Sequence, residues 1–151
     1  MKKVLILFLP LFLLASQGCA SQSLDREGYI KVLQEICSKA KSEQTDLFEN
    51  VEVSDQENLD RYKKLSEVTQ EEDESIQSLR VDDTLSKKQE KLKKSYTDKL
   101  EATVSAVKEI NAAEGNLQNA QAKPEFIDAV EKIQAAITNI NSVYDELNVE
   151  C

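Results

Sequence analysis

Along the chain, apolar residues recur with helical spacing in four stretches separated by short polar breaks. In residues 25–48 the apolar or small positions are Tyr29, Val32, Leu33, Ile36, Cys37, Ala40, Leu47 and Phe48, mostly the i, i+3, i+4, i+7 recurrence of one helix face. Asp25 and Glu27 place negative charge where the helix dipole favours it. After a polar break, Glu49 to Ser54, the pair Ser54 and Glu57 forms a capping box ahead of Leu59, Tyr62, Leu65, Val68, Ile76 and Leu79. The acidic run Glu71-Glu72-Asp73-Glu74 interrupts that stripe and predicts fraying or a bend there, with the helix ending near Arg80.

A third, longer segment carries Leu85, Leu92, Tyr96, Leu100, Val107 and Ile110, with Asp82 or Asp83 as its expected cap. Its exit is predicted at Gly115-Asn116, or later if Leu117 prolongs the stripe until Lys123-Pro124 stops it. Proline then opens a fourth helix, where Phe126, Val130, Ile133, Ile137, Ile140, Tyr144 and Leu147 alternate steps of four and three, with Cys151 as the next member. That alternation marks helices packed at a shallow angle. Such stripes must bury against one another, so the expected class is all-α, an antiparallel four-helix bundle over residues 25–151. An extended helical hairpin or an oligomeric coiled coil is the alternative. The tyrosines Tyr29, Tyr62, Tyr96 and Tyr144 each fall on a stripe, which places them at the core.

The amino terminus reads differently. Met1-Lys2-Lys3 is followed by Val4 to Ala15 without a charge, then Ser16-Gln17-Gly18-Cys19-Ala20, the basic, apolar and small-residue order of a secretory signal. At ~1.5 Å per residue the apolar run covers about 18 Å, well short of the ~30 Å hydrocarbon core of a bilayer. Gly18-Cys19 resembles the end of a bacterial lipobox, with Ser16 where that pattern has leucine and Leu14 two positions earlier. The resemblance implies a signal peptide over residues 1–18, an acyl-bearing Cys19 as the new first residue, and a short tether over 19–24. Cleavage after Ala20, giving a soluble secreted chain, is the alternative.

Lipidation consumes Cys19 and the other cleavage discards it, so either route leaves Cys37 and Cys151 of the three cysteines. In an exported protein such a pair is expected as a disulfide, with two free thiols as the alternative. Two thiols without histidine fall short of a closed zinc site. A bridge between positions 114 apart stabilises a fold by roughly 5 kcal/mol on the chain-entropy view. Geometry sets a condition. In an up-down-up-down bundle the fourth helix ends beside the start of the first, whereas Cys37 lies about 18 Å further along. Either the first helix overhangs, or Asn148 to Cys151 fold back along its surface.

The cysteine positions also carry a resemblance. Tyr29-x-x-Val32-x-x-x-Ile36-Cys37-x-x-Ala40 near the start, a helical middle without histidine, and Leu147-Asn148-Val149-x-Cys151 at the end resemble a diffuse class of small exported bacterial helical lipoproteins. In that class a first-helix cysteine pairs with one at the carboxyl end. The resemblance implies the fold and the bridge, and no common activity.

Composition narrows the function. The formal net charge is −9, and loss of Lys2 and Lys3 with the signal makes the mature chain more acidic still, the wrong sign for a nucleic-acid partner. With no histidine, no tryptophan and three glycines, a serine triad lacks its base, a di-iron bundle lacks its ligands and no phosphate-cradling loop is present. We therefore expect no enzyme and no cofactor. Glu71 to Glu74 read as a solvated acidic face, since the run lacks the alternating ligands of a calcium loop. The one basic stretch, Lys87, Lys88, Lys91, Lys93 and Lys94, reads first as a solvated face paired with nearby acids. Its second reading is contact with an anionic surface through Lys87, Lys88, Lys91 and Lys94. The expected function is that of a membrane-anchored module of the cell envelope that binds a protein partner or serves as a structural subunit. A small-molecule carrier or sensor with a cavity between helices is the alternative.

Overall fold

A computed structural model describes residues 23–49 and 53–151. The expected signal segment over 1–18, Cys19 and most of the tether lie outside the described residues. Within them the chain is all-helical, with five helices: α1 Arg26–Phe48, α2 Asp55–Ser78, α3 Ser86–Ala112, α4 Leu117–Gln121 and α5 Pro124–Leu147.

Local chemistry explains most of the ends. Asp25 caps α1 by accepting the Gly28 N–H at 2.8 Å. In α2 the Ser54 hydroxyl accepts the Glu57 N–H at 3.2 Å while the Glu57 carboxylate accepts the Ser54 N–H at 2.8 Å, the predicted capping box. Pro124 occupies the first turn of α5.

Four expectations are corrected. The acidic run does not break α2, because Gln70 donates to Glu74 at 2.7 Å, Lys39 of α1 pairs with Glu71 at 3.0 Å and Glu72 turns inward. Neither Asp82 nor Asp83 caps α3. Leu24 donates to the Arg80 carbonyl at 2.8 Å and accepts from the Asp82 N–H at 3.2 Å, which holds residues 80–82 against the start of α1. The helix therefore begins later, at Ser86, with buried Leu85 in the cap position. Third, the exit of α3 contains a further helix. The chain leaves α3 through Glu114 (φ 55°) and Gly115 (φ 84°), and Asn116 then caps α4 by accepting the Asn119 N–H at 2.9 Å. A Cβ at Gly115 would stand 1.8 Å from the Asp55 carbonyl oxygen, so only glycine allows this close approach to the start of α2. Fourth, Cys151 does not continue the stripe of α5. Asn148 turns left-handed (φ 61°), and the Val149 N–H bonds back to the Tyr144 carbonyl at 2.9 Å.

Neighbouring helices pair with residue numbers rising along one as they fall along the other. Asp73 and Gln77 of α2 meet Thr97 and Lys93 of α3, while Lys88 and Lys91 of α3 meet Glu146 and Ser142 of α5. The core has two parts. The lower gathers Tyr29, Leu33, Ile76, Leu92, Tyr96, Val143, Tyr144 and Leu147, and the upper gathers Leu59, Ala106, Ile110, Ala120, Phe126 and Ala129. Helix α1 contributes only to the lower part, and its buried residues stop at Ala40. Fully burying one leucine such as Leu33 or Leu92 stabilises the fold by about 2 kcal/mol, so this lower part is the main fastening of α1.

A polar thread crosses the lower core. The Tyr29 hydroxyl donates to Gln89 Oε1, and Gln89 Nε2 donates at 3.0 Å to the Ile76 carbonyl in the last turn of α2, which also accepts the Leu79 N–H at 3.3 Å. Burial holds the Tyr29 phenol well above its ordinary pKa, with Tyr144 adding to the effect.

Candidate functional site

The two cysteines predicted to pair are brought together. Their Cα atoms lie 5.7 Å apart and their sulfurs at bonding distance, 2.11 Å. The fold-back solution is the one adopted: after the reversal at Asn148, Val149 enters the lower core and Cys151 returns along α1, where Lys41 Nζ donates to its carbonyl at 3.4 Å. Cys37 is nearly buried while Cys151 is exposed.

Beside this bridge, α1 and α5 flank an open groove of about 400 Å³. Cys37, Ala40 and Lys41 line one wall, Ile137, Ile140 and Asn141 the other, and Cys151 lies at the edge. Glu72, Lys99, Tyr96 and Tyr144 also line it. Ile137, which the stripe of α5 assigns to the core, lines this open groove and is 40% exposed.

The groove is lined by the least exposed ion pair among the described residues. Glu72 of α2 and Lys99 of α3 form an ion pair at 2.6 Å with side chains only 7% and 12% exposed. The Lys99 ammonium also lies 5.6 Å from the centre of the Tyr96 ring. Burial raises the Glu72 carboxyl above its ordinary pKa, Lys99 pulls it down, and Glu43 pushes it up again. The Tyr96 and Tyr144 hydroxyls share a hydrogen bond of 2.7 Å. Burial pushes the Tyr144 phenol up to about 12 and the Tyr96 phenol higher still. Both remain protonated near neutral pH, so they offer hydrogen bonds and stacking surface rather than a phenolate nucleophile. No buried side-chain polar atom among the described residues lacks a partner, and no cluster of metal-ligating side chains occurs among them. No helix of the described residues is long and apolar enough to cross a membrane.

The lysine stretch is divided among neighbours. Lys88 pairs with Glu146 and Lys91 donates to Ser142 at 3.2 Å, both on α5. Lys93 donates to the Gln77 carbonyl of α2 at 2.7 Å, and Lys94 pairs with Asp98 of its own helix at 2.6 Å. Lys87 is exposed.

Sequence reasoning missed the Glu72–Lys99 pair, having assigned the whole acidic run to solvent. Glu71 and Glu74 are exposed as expected, but Glu72 is buried. A signal was present: Glu72 stands four residues after Val68 and four before Ile76, in line with the stripe of α2, and Lys99 likewise falls between Tyr96 and Thr103. A charge in register with a buried face needs a partner. Comparison of the chain with family models, with curated proteins and with solved structures finds no match.

Proposed function

We propose that this protein is an exported, lipid-anchored helical module of the bacterial cell envelope that acts without catalysis, as a binding or structural subunit. In this reading residues 1–18 are removed as a signal peptide, Cys19 carries the acyl anchor, residues 19–24 tether, and residues 25–151 form the working body. That body is an antiparallel four-helix bundle of α1, α2, α3 and α5, with α4 as a short corner. The observation that carries the proposal is the Cys37–Cys151 bridge, because disulfides persist in oxidising compartments and are rare in the cytosol. The paired state of the buried polar groups supports a non-catalytic role, since tyrosines, Gln89, Glu72 and Lys99 are engaged with one another. The acidic surface suits a protein partner in the envelope and disfavours nucleic acid.

Membrane fractionation of the producing cells with metabolic acyl labelling tests the anchor. The wild-type chain is expected in the membrane fraction with label, and Cys19→Ser in the soluble exported fraction without it. Label-free wild-type protein outside the membrane fraction would mean cleavage after Ala20 instead. Contact of Lys87, Lys88, Lys91 and Lys94 with an anionic surface is a minor element, tested by salt-dependent binding to anionic vesicles that the lysine variants lose. The second reading, a small-molecule carrier or sensor, draws on the α1–α5 groove of about 400 Å³. The groove opens to solvent, which favours a partner's side chain over an enclosed ligand.

A further inference from the structure

The disulfide sits at the end of the held part of α1, one turn before its last buried residue, Ala40. At its base α1 is fastened by fully buried Tyr29 and Leu33 and by the backbone bonds of Leu24 to Arg80 and Asp82. Beyond Ala40 it has no buried residue, and the Phe48–Tyr62 ring contact at 5.5 Å runs from it to α2, as the Lys39–Glu71 pair does just before Ala40. Toward α5 this distal half faces the groove. There the bridge and the neighbouring Lys41–Cys151 hydrogen bond join it to the far side.

We propose that the Cys37–Cys151 bond is a thiol-responsive clasp. Its reduction releases Glu150 and Cys151 from α1, loosens α1 beyond Cys37, and opens the α1–α5 groove onto Glu72 and Lys99 while the rest of the helical body stays folded. The co-reactant is a dithiol, small or borne by an oxidoreductase. One of its thiolates attacks the sulfur of Cys151, the more exposed residue of the pair, the S–S bond breaks, and the Cys37 sulfur leaves as a thiolate that takes up a proton. The second thiolate then attacks the reductant's own sulfur in the mixed disulfide. Cys151 is released as a thiol and the reductant leaves as a disulfide, two electrons having passed to the protein. Attack at Cys151 is favoured because Cys37 is only 8% exposed. The lower core persists because Ile76, Leu92, Val143 and Leu147 close over Tyr29 and Leu33 without the bridge. The clasp does not depend on the acyl anchor or on what the groove binds.

The test is amide hydrogen exchange, read by mass spectrometry, on the full exported chain before and after treatment with a small dithiol. Segments covering residues 38–48 and 150–151 are expected to exchange faster, on the order of tenfold or more, while residues 89–110 and 126–147 keep their protection. A brief pulse of alkylating agent after reduction is expected to label Cys151 before Cys37. Cys151→Ser should reproduce the exchange pattern, and the dithiol-treated wild type provides the reading if that variant folds poorly. Unchanged exchange in 38–48 after complete reduction would overturn the proposal, as would faster exchange spread equally over all the helices.

Discussion

Removing the ammonium of Lys99 tests whether the polar group at the α1–α5 groove is as dry as its geometry implies. In Lys99→Met the Glu72 carboxylate, 7% exposed, loses its partner at 2.6 Å while the apolar stem is largely kept. Truncating one member of a buried pair costs about 3–5 kcal/mol, because the remaining charge is stranded. The carboxyl has an escape, which is to take a proton. From an ordinary value of 4.5, protonation near pH 7 costs about 3.4 kcal/mol at ~1.4 kcal/mol per pH unit. That figure caps the loss at neutral pH, and near pH 5 the cap falls to roughly 0.7 kcal/mol. The sign follows from the same titration: folded Lys99→Met holds a proton that the unfolded chain has released, so its stability falls as pH rises above 4.5. In the wild type, burial also raises Glu72, though Lys99 opposes the rise, so wild-type stability also falls as pH rises above 4.5, over a narrower window than in the variant. Urea unfolding followed by circular dichroism should therefore give a loss of about 3 kcal/mol near pH 7, shrinking to under about 0.7 kcal/mol near pH 5. Replacing both residues, Glu72→Leu with Lys99→Met, should return stability to within about 1 kcal/mol of wild type or exceed it. A pH-independent loss, or one under about 1 kcal/mol at neutral pH, would show a solvated carboxylate and refute the reasoning.

Three further outcomes are expected. Gly115→Ala adds a Cβ 1.8 Å from the Asp55 carbonyl oxygen at a φ of 84°, and calorimetry should show a loss of more than about 2 kcal/mol; a loss under about 0.5 kcal/mol would disprove the close approach. In alkali, Tyr29, Tyr96 and Tyr144 hold their protons longer folded than unfolded, so the stability they contribute is complete below pH ~10 and is lost as pH rises, through about 12 for Tyr144 and beyond it for Tyr29 and Tyr96. Phenolate absorbance should rise with unfolding, and three phenols ionising in a folded chain would contradict their burial. Reduction should lower the Tm by about 10–15 °C, since a bridge between positions 114 apart is worth up to roughly 5 kcal/mol and each kcal/mol moves a domain of this size by about 3 °C. A shift under about 3 °C would mean that the crosslink adds little to the fold.

What the sequence could say depended on how local the cause was. The ends of α1, α2 and α5 were legible because Asp25, Ser54 with Glu57, and Pro124 act on backbone groups within one turn. The cysteine pair was legible by arithmetic, and the mismatch between Cys37 and the end of α5 left either an overhanging first helix or a fold-back of Asn148 to Cys151, of which the left-handed Asn148 supplies the second. The start of α3 was not legible, because residues 80–82 are held by Leu24, more than fifty positions away, in competition with the local caps Asp82 and Asp83. The turn at Gly115 likewise answers to the distant backbone of Asp55. Glu72 was misread for a different reason. A run of four acids looks uniformly solvated, yet a helix turns successive residues to different faces, and only the partner on another helix makes the inward one tolerable. The lysine stretch shows the same effect, its members dividing between α2, α5 and their own helix.

Intact mass of the exported protein, taken from the producing cells without reductant and after trapping of free thiols, tests the account most directly. A covalently closed helical body predicts no trapping agent on Cys37 or Cys151 and a gain of two hydrogens on reduction. Trapping agent on both sulfurs of the native chain would contradict it.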